Sequence, residues 1–302
     1  MKKLLAVLLA LVMVLSLAAC GGEKDKKTDD GINIEIEKDE AVAPENDSDD
    51  TNFTETTLKD NDVATAKILS IDPNGDWGFT LKLYLENKTD KELLFSIDDA
   101  AINGLLIDPF FATTLASGKK STEEVTFSRD QMKEYGIEHA AKITFTLSAM
   151  DNEDFMADPL LEEPCTIYPY GKGAYDDVFQ YTSDSDDVVI FDTEEYTMIV
   201  TAIDPENLWG YAAKVYVENK TDVSLMFSVD SAAINDFQID PLWSMVVPAH
   251  MKSFSEVSWF EEEMADQGIE TVEKIWLEVS VTNWDNWLDS PMAEAEIEFA
   301  PF

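Results

Sequence analysis

Few side chains in this sequence are suited to chemistry, and most of them lie near its end. Trp284-Asp285-Asn286-Trp287-Leu288-Asp289 follows shortly after Trp276. Tryptophans beside carboxamides and acids suit a sugar or a peptide, because a flat apolar ring stacks while polar groups fix orientation. Trp276, Trp284, Asp285, Trp287 and Asp289 are therefore the candidate ligand-binding residues; the alternative is that the rings pack against a neighbouring domain or helix. Nucleophilic and metal chemistry is thinly provided for. The chain has 2 cysteines and 2 histidines, with no Gly-rich phosphate loop, His-rich cluster or Ser/His/Asp arrangement, so no catalytic residue, metal or cofactor is expected. The 62 acidic residues guarantee some close carboxylate pairs by chance, which keeps a two-acid glycan hydrolase as an alternative. Asp72-Pro73-Asn74-Gly75-Asp76 alternates oxygen ligands as a calcium loop does but lacks the twelve-residue pattern, and a proline-led turn is the better reading.

The elements that must position these residues are visible because the sequence repeats. Ile71 to Pro109 returns as Ile203 to Pro241 at a constant offset of 132 residues, and the match runs on without a gap to the C-terminus. Glu86-Asn87-Lys88-Thr89-Asp90 comes back as Glu218-Asn219-Lys220-Thr221-Asp222, for example. A period this long reads as a duplicated domain with a core in each copy, rather than as a solenoid. Phe79, Leu81, Leu83 and Leu85 alternate with polar positions, and Tyr211, Ala213, Val215 and Val217 repeat the pattern. Ile143 to Ala149 and Ile275 to Val281 alternate in the same way, and each copy holds about seven short strands with regular turns between them. The expected fold is all-β: two tandem immunoglobulin-like antiparallel sandwiches, each with one short helix, that of the first opening at a Ser128-x-x-Gln131 capping box. The first spans residues 61 to 170 and the second 188 to 302, joined by a linker, 171 to 187, whose Tyr175, Phe179 and Tyr181 are free to dock. Alignment of the copies also sorts the reactive residues. Cys165 faces Ile297 in the repeat, which makes it a core thiol, and neither His139 nor His250 has a histidine partner. Trp276 and Trp284 replace Thr144 and Asn152, so the tryptophans are what the second copy gained. The Asn-Lys-Thr at 87 to 89 and 219 to 221 matches a glycosylation acceptor but reads as a turn between strands.

The beginning of the chain gives an address. Lys2 and Lys3 precede an apolar run from Leu4 to Leu17 that is too short for a comfortable membrane span, so residues 1 to 19 read as a signal peptide. Leu17-Ala18-Ala19-Cys20-Gly21 resembles the lipobox of bacterial lipoproteins, in which the cysteine is diacylated and becomes the new N-terminus. Two acyl chains anchor stably, which implies a protein held extracytoplasmically on the outer face of the cell membrane. Residues 20 to 60 are rich in Asp, Glu, Lys, Thr and Asn and read as the acylated cysteine followed by a disordered tether. Removing residues 1 to 19 moves the net charge from −41 to −43. Such a surface repels nucleic acid, which is excluded as a partner.

The Asn-Lys-Thr-Asp turn, the Phe-Ser-x-Asp strand, the Ala-Ile-Asn segment and the following Asp-Pro resemble those of uncharacterised Gram-positive surface lipoproteins with tandem immunoglobulin-like domains. The resemblance covers both copies and implies no activity; the antibody-type Cys, Trp, Cys pattern is absent, so it extends to sandwich architecture alone. The expected function is a lipid-anchored binding or scaffold protein taking a cell-wall glycan or a protein ligand, with the glycan hydrolase and a passive spacer as alternatives. Oligomeric state is not readable from the sequence.

Overall fold

The computed structural model describes residues 51, 53 to 208 and 210 to 302. Cys20, the signal peptide and the tether as far as residue 50 lie outside the described residues, as do Asn52 and Trp209. From Asp50 onward the chain forms one contact unit. It is all-β and built from two antiparallel sandwiches of the same plan.

In the first sandwich, one sheet has the order β1 (Thr56–Asp60), β2 (Ala64–Gly75), β3 (Gly78–Asn87), β7 (Lys120–Ser128). Facing it are β4 (Leu93–Ile102), β8 (Ile143–Asp151) and β9 (Leu161–Ile167), with the short β5 (Leu105–Leu106) and β6 (Ala112–Leu115) paired to β4. The second sandwich repeats this with β10 (Val188–Asp192), β11 (Tyr196–Asn207), β12 (Gly210–Asn219) and β16 (Lys252–Phe260). These oppose β13 (Leu225–Ile234), β17 (Ile275–Asn283) and β18 (Ala293–Phe299), with β14 (Phe237–Gln238) and β15 (Ser244–Val247) on β13. The period-two alternation is the cause: Leu81, Leu83 and Leu85 on β3 and Val215 and Val217 on β12 are fully buried, as are Leu277, Val279 and Val281 on β17. Each sandwich closes over its own apolar cluster, around Phe95 and Phe127 in the first and Phe227 and Trp259 in the second.

The strand β1 corrects the reading of residues up to 60 as tether. Thr56 pairs with Ile68 and Asp60 with Thr65, while Phe53 and Leu58 pack on the first core. A polar edge strand needs one apolar contact row and a backbone ladder, so Thr-Thr-Leu-Lys-Asp gave no periodic signal. The helices α1 (Arg129–Glu134) and α2 (Glu261–Asp266) occupy equivalent places. Ser128 caps α1 by accepting from the Gln131 amide at 3.4 Å, but the Gln131 side chain turns to the Tyr135 hydroxyl, so only half of the capping box forms. Phe260 gives α2 no side-chain cap.

The repeated Asn-Lys-Thr turns are structural. Asn87, fully buried, donates from Nδ2 to the carbonyls of Lys91 (2.8 Å) and Leu115 (2.9 Å) and accepts at Oδ1 from the Thr89 amide and hydroxyl. Asn219 repeats the network with Val223, Val247 and Thr221. Such a side chain ties the end of one strand to the start of another and is not presented to a glycosylating enzyme.

Between the sandwiches the sheets join. Leu105 of β5 lies in parallel register with Lys252 of β16, whose amide donates to the Gly104 carbonyl at 2.9 Å, so β10 to β12, β16 and the β4 sheet make one nine-stranded sheet. Tyr135 stacks on Phe254 at 4.7 Å, and Lys214 reaches Glu134 at 2.9 Å. The linker lies across this junction. Phe179 donates its amide to the Asn103 carbonyl and accepts Lys252 Nζ at its own, and Tyr181 stacks on Tyr216 at 4.4 Å.

Candidate functional site

The strand β17 positions the candidate tryptophans and separates them. Trp276 is its second residue, in register with Ala233 and Glu298, and half-buried on the outer face. Trp284 follows its last residue and opens a 3₁₀ turn, Trp284–Asn286, in which the Asn283 side chain accepts from the Asp285 amide at 2.9 Å. Eight extended residues at roughly 3.3 Å each hold the two rings on the order of 26 Å apart. The five candidates therefore do not form one site. Trp284, Asp285, Trp287 and Asp289 do share a turn, closed by the Asp289 amide on the Asn286 carbonyl at 2.8 Å. Trp284 is half-buried, Trp287 is 38% exposed and Leu288 79%.

At the other end of β17 lies a cleft of about 1000 Å³, between α2 and the β11–β12 hairpin. Tyr211, Met264 and Ile269 give it an apolar floor, and Glu206, Glu261 and Glu270 an acidic rim. Burial pushes the Tyr211 phenol up from 10.0 to about 12, so its hydroxyl stays neutral at ordinary pH. The first sandwich has the corresponding cleft at about 520 Å³, beside Arg129, Met132 and Ile137. There Arg129 Nη2 donates to the Gly75 carbonyl at 2.5 Å, tying the helix to the hairpin. Glu261 stands at the Arg129 position of the second copy. A carboxylate cannot donate to that carbonyl, and it adds negative charge to the opening. The Arg-to-Glu difference was legible in the aligned copies; that it borders a cleft was not, because helix and hairpin meet only in three dimensions.

A third cleft, of about 540 Å³, lies at the junction and is lined by Tyr135, His139, Tyr175, Phe179, Tyr181 and Phe254. Its rings are engaged with one another: His139 stacks on Tyr175 at 3.9 Å, and Phe179 meets Phe254 edge-on at 6.0 Å. Tyr181 donates to Asp187 at 2.9 Å, and burial, followed by that bond, pushes its phenol well above the usual range. This arrangement joins the sandwiches.

Catalytic geometry is not evident among the described residues. Asp99 is the carboxyl held above its ordinary range, first by local enclosure and then by the Asp98 charge. The residue surface is nevertheless open, and the pair sits at a bulge in β4 that borders none of the clefts above. Cys165 is buried in the first core, and burial pushes its thiol from 9.0 to about 11, which suppresses the reactive thiolate. Asp72 caps its own turn by accepting from the Asn74 amide at 2.9 Å. No group of three or more His, Cys, Asp or Glu side chains among the described residues could hold a metal ion.

No protein-family model and no curated relative matches the chain. Among solved structures it is similar to the Salmonella enterica SafA pilin in complex with the SafB chaperone, at 10% identity over 80% of this chain and 98% of that one, with a TM-score of 0.26. It is also similar to the Pseudomonas aeruginosa CupB2 chaperone (11% identity, 73% and 92% covered, TM-score 0.20). The CsuC-CsuE chaperone–tip adhesion subunit pre-assembly complex of Acinetobacter baumannii gives 11%, 74% and 92%, and 0.21. Likeness at this level carries no information on what this chain binds.

Proposed function

We propose that the protein is a lipid-anchored, extracytoplasmic binding protein whose ligand occupies the acidic cleft of the second sandwich. Cys20 supplies the anchor and residues 21 to about 52 the tether, on the lipobox reading of the sequence; among the described residues no helix is long and apolar enough to cross a membrane. One observation carries the choice of site. The two copies share the residues that build the sandwich, and at the same cleft one of them exchanges a tying arginine for a rim carboxylate and has about twice the volume. An apolar floor under three glutamates suits a ligand with cationic groups on an apolar body, such as a basic segment of a cell-surface protein or peptide. The net charge of the chain favours the same sign of partner. No step of this role needs a catalyst, a cofactor or a metal.

A second reading rests on the exposed Trp287 and Leu288, which suit stacking against a cell-wall glycan. One experiment separates the two: the mature chain, Glu261→Arg and Trp287→Ala are applied to an array of basic peptides, glycans and cell-wall fragments. Retention of basic peptides by the parent and by Trp287→Ala, with loss in Glu261→Arg, is the expected result. Glycan retention lost only in Trp287→Ala would move the site to the turn after β17, and no retention of any probe would favour a passive spacer.

A further inference from the structure

The junction between the sandwiches is heterologous: it joins the β5 corner of the first to the β16 edge of the second, two different surfaces. Since each sandwich is built on one plan, the chain also carries the unused half of each surface. These are β7, the counterpart of β16, and β14, the counterpart of β5. Both are formed as their used counterparts are. The β4–β5 hairpin pairs Ile102 with Leu105, and the β13–β14 hairpin pairs Ile234 with Phe237. Gly104 (φ 81°) and Asp236 (φ 68°) share the left-handed conformation that aims the hairpin. Along the other surface, Glu218 opposes Lys252 on β16 as Glu86 opposes Lys120 on β7.

What differs is cover. The Lys252 side chain is 11% exposed in the junction and that of Lys120 57%. Leu105 is fully buried, whereas Phe237 is 45% exposed. A heterologous contact that does not close on itself leaves one open face at each end, and the partner that fits both is another copy of the molecule.

We propose that β14 of one chain docks on β7 of the next, head to tail, in the manner of β5 on β16. The Lys214 to Glu134 ion pair has Lys82 and Asp266 at the matching positions, so the charge match is kept; Tyr84 stands where Tyr216 does, and Phe237 replaces Leu105 with a larger apolar side chain. Three elements of the internal junction have no intermolecular equivalent: Tyr135 and Phe254 become Gln267 and Thr122, Leu106, which packs on the second core, becomes the polar Gln238, and no linker lies across the contact. The association is accordingly weaker than the internal one, and it is opposed by the net charge until salt screens it.

Two measurements test this. In the anchored full chain, Lys120→Cys and Phe237→Cys place thiols at the register pair equivalent to Lys252 and Leu105, both on exposed side chains. Under a mild chemical oxidant the double variant is expected to give a ladder of multimers on a non-reducing gel; each single variant stays monomeric, and a mixture of the two singles stops at dimer. Absence of the ladder with both thiols open to maleimide labelling, or a single variant crosslinking as strongly as the mixture, overturns the proposal. Sedimentation velocity of the unsubstituted mature chain, with its own surface intact, should show a weight-average size that rises with protein concentration and with salt, a rise that Phe237→Asp abolishes. A monomer independent of concentration into the hundreds of micromolar also overturns it.

Discussion

Replacing Asn87 by alanine tests whether the repeated turn is the tie that its hydrogen bonds indicate. The side chain makes four such bonds, two donated and two accepted, and the acceptor at Leu115 is buried. Water can reach the Lys91 carbonyl and Thr89 in the variant, but not the Leu115 carbonyl. The Leu115 carbonyl keeps its ladder place opposite Leu93, so losing its second, buried bond costs roughly 0.5 to 1.5 kcal/mol, and loss of the wetter bonds adds about 1 kcal/mol, for a total of about 1.5 to 2.5 kcal/mol. In a sandwich of this size about 1 kcal/mol shifts the midpoint by about 4 °C, so a drop of about 6 to 10 °C is expected. Differential scanning calorimetry of the mature chain, with Asn219→Ala beside it, reads this directly. If the sandwiches melt as separate cooperative units, each variant lowers its own transition and leaves the other in place. A shift below about 0.5 kcal/mol in either variant would refute the network as a stabilising element. An equal shift of one common transition would refute independence of the two copies while leaving the turn argument intact.

Further perturbations give distinct outcomes. On the proposed lipobox reading, Cys20→Ala should release the protein from the membrane fraction through a high-salt wash, read by fractionation and blotting, because acyl chains on Cys20 would supply the anchoring free energy. Trp287→Ala should change the melting temperature by less than about 0.5 kcal/mol equivalent, whereas Trp284→Ala, on a half-buried ring, should cost about 1 to 2 kcal/mol. Alkaline pH should destabilise the fold progressively, beginning with Cys165 and continuing through the phenols raised in the fold, Tyr181, Tyr196, Tyr211 and Tyr216. The Cys165 thiol is raised from 9.0 to about 11 and the Tyr211 phenol from 10.0 to about 12. Both groups are neutral when protonated and have folded values above their unfolded ones, so their contribution is complete below pH 9.0 and is lost as pH rises toward 11 and then 12. Denaturant melts from pH 8 upward should show the decline, and Cys165→Ala should remove its first part.

Much of this fold could be read from the chain because it is written twice. The alternation of Leu81, Leu83 and Leu85, repeated at Ala213, Val215 and Val217, placed strands and their buried faces. The polar edge strand at Thr56–Asp60 escaped because it is half-solvated and held by a ladder that only its partner reveals. The junction escaped for a related reason: Tyr135, Phe179, Tyr181 and Phe254 lie far apart in sequence and meet only when the sheets join. The tryptophan set is instructive in the other direction. Trp276 and Trp284 lie close in sequence, yet the same alternation that put them on or beside one strand fixes them too far apart to share a small ligand. Grouping them as one site set local proximity above strand geometry. The acidic cleft had its signal in the aligned copies, at Arg129 and Glu261, but a charge reversal on a short helix gains meaning only once the hairpin it faces is known.

Amide hydrogen exchange on the mature chain, with and without a saturating basic peptide retained by it, tests the central claim most directly. The account predicts slowed exchange at Glu206, Tyr211, Met264 and Ile269 around the cleft, with residues 283 to 289 and the first sandwich unchanged. Protection confined to the turn after β17, or none above the unliganded level, would contradict it.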